Sequence, residues 1–152
     1  MESILVKAFA ISLVAIILCF GFMDALWLGV IAADIYQQEM QGMLRSSYPV
    51  WPWLTFYLIY ASSIAILAVQ PSLKPLMQEK SCTKSIMLVA SRGFILGLAA
   101  YGAYNLTNYA ILQNWSLKIS LIDWTWGCII TSCSATFAAF CVKTFSIISS
   151  RS

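Results

Sequence analysis

The chain has 152 residues, of which 61% are hydrophobic and 10% charged, with a net charge of +3. A soluble domain carries about 25% charged residues, so too little polar surface is present to face water all round, and a membrane protein is the expected class. The scattered positive charge excludes a nucleic-acid footprint, which needs Lys and Arg gathered on one polar face. The absence of histidine excludes a His-based triad, a haem ligand or a His-rich metal site.

A bilayer core is crossed by about 20 apolar residues in a helix. The first such run goes from Phe9 to Ala33 and is interrupted only by Asp24. It is too long for the apolar region of a signal peptide, and Asp24 and Trp27 sit inside it, so a retained span is expected. The segment Asp34 to Tyr48 follows. In it Ile35, Tyr36, Met40, Met43 and Leu44 fall on one helical face, while Gln37, Gln38, Glu39 and Gln41 fall mostly elsewhere. Two readings are open for this loop: a short interfacial helix over the mouth of a bundle, or an ordinary connection.

The second run, Trp51 to Val69, carries no charge. Pro49 and Pro52 mark its start, where proline is tolerated, and Pro71 and Pro75 are expected to end it. The third run, Ile86 to Leu112, has Arg92 near its beginning, and the fourth, Ile119 to Val142, has Asp123 near its beginning. The expected fold is therefore all-α, a single domain over residues 1–152 with spans at about 9–33, 51–69, 86–112 and 119–142. Four of the five cysteines, Cys19, Cys128, Cys133 and Cys141, lie inside apolar runs, where cysteine acts as a small hydrophobe. Cys82 is the fifth, and no CxxC pair occurs, so neither a disulfide framework, a metal site nor a cofactor is expected.

Orientation follows from Lys and Arg. Lys7, Lys74, Lys80, Lys84, Lys143 and Arg151 would share one side, against Arg45 and Lys118 on the other. This predicts both termini in the cytoplasm, with Arg92 snorkelling toward that side and Trp51, Trp53 and Trp115 forming an outer aromatic belt.

The informative residues are those that do not belong in lipid. At 1.5 Å per residue, Asp24 lies about 13 Å from the outer end of its span and Asp123 about 6–9 Å. Tyr57 and Tyr60 in the second span, and Asn105 and Asn108 in the third, fall in the same layer. Gly93, Gly97, Tyr101, Tyr104, Asn105 and Asn108 form one stripe on the third helix, and Gly93 to Gly97 is a GxxxG pattern that admits close helix approach. That pattern serves either packing inside the bundle or a homodimer. Asp123, Gly127, Thr131 and Ser134 form a stripe on the fourth helix, and Gly21, Asp24, Trp27 and Leu28 share a face of the first. Ionisable residues at such depth require partners. The layer is either a hydrogen-bonded plug that sets helix register or a pocket open to the outer face.

These residues also carry a resemblance. Met23-Asp24-Ala25-Leu26-Trp27-Leu28-Gly29, Phe56-Tyr57-Leu58-Ile59-Tyr60, Ala100-Tyr101-Gly102-Ala103-Tyr104-Asn105-Leu106-Thr107-Asn108 and Asp123-Trp124-Thr125-Trp126-Gly127 follow one another in that order. The chain resembles the bacterial membrane-protein family Domain of Unknown Function 2177 over nearly its whole length, with Asn105 where that family commonly has Asp. The resemblance implies the four-helix architecture and a bacterial inner-membrane location, and it adds Trp126 to the candidate layer. It implies no activity.

Three functions are compatible with this reading. The first is a binding or transport protein that takes a small polar or amphipathic molecule, or a lipid, from the outer side. The second is an accessory subunit of a membrane complex. The third is an enzyme acting on a lipid or isoprenoid, with Asp24 and Asp123 as an acid and base pair and Tyr101 or Tyr104 orienting the substrate. No nucleophile with a neighbouring base is apparent, so no catalytic residue is assigned and the enzyme is the least expected of the three.

Overall fold

The computed structural model describes residues 2–73 and 82–149. Lys74, Pro75, Lys80 and Arg151, and the side chain of Cys82, used above for orientation and boundaries, lie outside the described residues.

Helix α1 spans Glu2–Leu26 and runs on as a single π turn, Trp27–Ile31. The wide turn closes with Ala32 N–H donating to the Trp27 carbonyl at 2.8 Å. Ala32 is fully buried, and there the chain bends into the short helix α2, Ala33–Glu39. The interfacial segment is thus helical, but over one half only, and Met40 to Leu44 continues as turns. Gly42 lies at φ +81, where a residue with a Cβ would be strained; this interrupts the helical spacing that runs to Leu44.

Helix α3, Val50–Ile64, has Pro49 as its N-cap and Pro52 in its first turn. Neither costs a hydrogen bond, because the first amides of a helix have no partner within it. The helix then passes through a second π turn, Ala65–Val69, and stays helical to Leu73. Pro71, expected to end the span, therefore does not. A proline clashes with the carbonyl four residues before it, and the widened turn lies where that clash would fall; Gln70 N–H reaches back to the Ala65 carbonyl instead. Helix α4 is Cys82–Ile111 and α5 is Leu117–Ser149. The short connection between them is closed by Ser116, whose hydroxyl accepts the Ile119 N–H at 3.4 Å as an N-cap.

Among the described residues four helices are long and apolar enough to cross a membrane: Val6–Ile31, Val50–Leu73, Thr83–Ile111 and Leu117–Phe145. At 1.5 Å per residue they run about 36–44 Å, enough for a hydrocarbon core of about 30 Å. Their outward faces carry Val14, Leu18, Phe22, Leu58, Ile59, Ile95 and Phe140, all exposed, as lipid contact requires.

Small residues set the packing. α5 lies between α4 and α1. A Cβ at Gly93 would stand 2.9 Å from the Ser132 Cα, and one at Gly97 would stand 2.5 Å from the Gly127 carbonyl oxygen. The GxxxG pattern is thus used inside the bundle, and Ser132 Oγ ties the seam by donating to the Ala90 carbonyl at 2.9 Å. Gly127 in turn makes room for the Tyr101 ring, which a Cβ would overlap. Gly21 is different: a Cβ there would meet nothing within 4 Å. The packed face of α1 centres on Phe20 and Asp24, four residues apart, and Gly21 is turned away from it. Phe20 presents edges to Phe56, Tyr57 and Tyr60 at centroid distances of 5.6–6.3 Å. At the opposite end Arg92 Nη1 donates to Ser72 Oγ at 2.8 Å, joining α4 to the end of α3.

Candidate functional site

Asp24 and Asp123 meet at the end of the bundle covered by α2. Asp24, only 6% exposed, accepts the Tyr57 hydroxyl on Oδ2 at 2.7 Å and the Trp126 indole N–H on Oδ1 at 3.2 Å. The Trp126 ring is held by stacking on Trp27, centroids 4.3 Å apart and planes 6° from parallel. The π turn begins at Trp27. Asp123 accepts the Tyr36 hydroxyl on Oδ1 at 2.5 Å and the Asn105 amide on Oδ2 at 2.6 Å. The same amide nitrogen also donates to the Tyr101 carbonyl at 3.0 Å. Tyr60 completes the layer through Thr131 at 2.9 Å, and the Thr131 hydroxyl donates to the Gly127 carbonyl at 2.6 Å.

Above these groups lies a cavity of about 680 Å³. Asp24, Asp123, Asn105 and Tyr101 line it. Its walls are Leu28 from the π turn after α1, Trp53, Phe56 and Tyr60 from α3, Ala100 and Tyr104 from α4, and Trp115 and Ile119 from the α4–α5 connection and α5. Its cover is Ala33, Tyr36, Gln37, Met40, Leu44 and Tyr48. Tyr104 is half exposed and meets Trp115 edge to face at 5.7 Å. Trp27, Tyr57 and Trp126 do not line the cavity; they hold Asp24 from outside it. Asn108 does not line the cavity; it sits about one turn beyond Asn105 on α4.

The cover is fastened. Glu39 accepts the Ser116 hydroxyl at 2.5 Å and pairs with Lys118 at 2.9 Å. The Ser116 hydroxyl, and then Lys118, hold the Glu39 carboxyl below the usual glutamate value. Tyr36 is the second fastening. Burial and then the Asp123 charge push its hydroxyl well above the ordinary tyrosine range, so it stays protonated and donates. Tyr36 is the residue that spacing alone did not assign to the site. It lay among apolar neighbours on an amphipathic stretch and gave no sign of a partner 87 residues away.

Four apolar spans joined by short connections, with apolar faces turned outward, define a multi-pass membrane protein. Residues 9–140 match the family model described as predicted membrane protein (DUF2177), and the chain belongs to that family. No curated protein and no solved structure matches the chain.

Proposed function

We propose that the protein binds a small amphipathic molecule in the cavity beneath α2. The observation that carries this reading is the cavity itself. Its volume of about 680 Å³ falls within the usual range of about 300–1,000 Å³ for small-molecule sites, which are mostly apolar with a few placed polar groups. Two carboxylates and one amide converge on a space otherwise walled by aromatic and aliphatic side chains. A plug that only fixed helix register would gain nothing from leaving that space open. Transport would need a second arrangement that opens at the other end; binding needs only the cover to move.

Native mass spectrometry of the protein in nanodiscs tests this. The wild-type chain is expected to carry a co-purified small molecule. Ala100→Phe, which places a ring in the cavity wall, is expected to lose it while keeping its helical circular dichroism. Equal occupancy in the two proteins would show that the molecule sits elsewhere.

A further inference from the structure

We infer that the ligand is a small amphipathic amine, bound in its protonated form with its ammonium group at Asn105 between Asp24 and Asp123. This rests on the cavity being a binding site, and it names the chemistry of the occupant.

Charge comes first. Both carboxyl groups line the cavity, and among the described residues no Lys or Arg lines it. All four carboxyl oxygens accept a hydrogen bond, from Tyr57, Trp126, Tyr36 and Asn105. None of these donors carries a charge. Trp126 and Asn105 can only donate, while the two tyrosine hydroxyls can donate or accept, so both carboxyls are held by neutral partners and neither is paired with a cation. Lys118, at this end of the bundle, is paired with Glu39. The cavity therefore lacks a positive charge.

The second observation is independent of charge. Asn105 is 1% exposed. Its amide nitrogen serves two acceptors, the Tyr101 carbonyl and Asp123, which settles which end of the side chain is nitrogen. Its Oδ1 is buried with no partner among the described residues, as are Trp27 Nε1 and Ser134 Oγ, and of the three residues only Asn105 lines the cavity. A buried acceptor left open is costly, and it asks for a donor. An ammonium N–H supplies the donor and the missing charge together. An alcohol would supply only the first, a quaternary ammonium only the second, and a carboxylate would add like charge. The walls suit the rest of such a molecule. Trp53, Phe56, Tyr104 and Trp115 offer aromatic faces, which take an apolar chain or ring and also attract a cation.

Four probes of similar size separate these cases: 4-phenylbutylamine, 4-phenylbutan-1-ol, 5-phenylpentanoate and benzyltrimethylammonium. Binding is read from tryptophan fluorescence and calorimetry with the full chain in phosphatidylcholine nanodiscs, after subtraction of protein-free discs. The amine is expected to bind at least tenfold tighter than the alcohol and the quaternary ion, and the carboxylate is expected not to bind. Asp24→Asn and Asp123→Asn should each weaken the amine about tenfold or more and weaken the alcohol less than the amine. Amine and alcohol bound equally would overturn the amine and leave the cavity as a neutral binding site. Tightest binding by the carboxylate would overturn it likewise. Tightest binding by the quaternary ion would keep the charge argument and overturn the role of Asn105. Should no probe bind and Ala100→Phe change nothing, the binding reading itself fails. The wild-type series is decisive even if a variant does not fold.

Discussion

Asp24 shows what one side chain asks of its neighbours. Its two oxygens satisfy Tyr57 and Trp126, so removing the carboxyl strands two donors. Each buried group left unpaired costs about 1–3 kcal/mol. Asp24→Leu is therefore expected to lower the thermal unfolding midpoint in detergent well below that of Asp24→Asn, which keeps an acceptor for one donor. Equal midpoints would mean that the two donors find other partners. That Asp24 and Asp123 would need partners was legible in the sequence, because a carboxyl within an apolar run has few alternatives. Their partners were less so. Helical spacing places Asn105 and Asn108 on one stripe, yet the structure joins only Asn105 to Asp123. A stripe names the side of a helix but not the height at which the neighbouring helix offers a partner.

Helix α2 has seven residues, too few to be stable alone in water. It is held by what it touches: Tyr36 on Asp123, and Glu39 on Ser116 and Lys118. Tyr36→Phe removes one fastening, and hydrogen–deuterium exchange across residues 33–39 is expected to rise. Unchanged exchange would show that packing alone seats the helix. Acid should loosen the other fastening. The folded Glu39 carboxyl titrates below its ordinary 4.5, so this contribution is complete above that value and is lost as pH falls through the lower folded one. Exchange, corrected for its intrinsic rate, should therefore be flat around neutral pH and rise only in acid. At this scale the four spans were readable from hydropathy, because length and apolar content decide what crosses a bilayer. The passage of α3 through Pro71 was not, since the π turn that accommodates it depends on the backbone rather than on residue type.

For the molecule as a whole, the distribution of six cationic residues against two predicts that the α2 end faces away from the cytoplasm. Gln38→Cys places a thiol on the exposed side of α2. A membrane-impermeant maleimide should label it in intact cells, and should reach Cys82 only after the membrane is opened. The reverse pattern would invert the orientation. The spans could be read along the chain, but the cavity could not, because it is a space between five elements and belongs to none of them. Its size is also governed from a distance. Gly127 lines no part of it, yet the Tyr101 ring occupies the notch that Gly127 leaves on α5. Any side chain at 127 would drive that ring out of its seat and toward the space under α2. The capacity of the chamber is thus set from the far side of its floor by a residue with no side chain, and a larger residue there would narrow the space while the identity of every lining residue stayed the same.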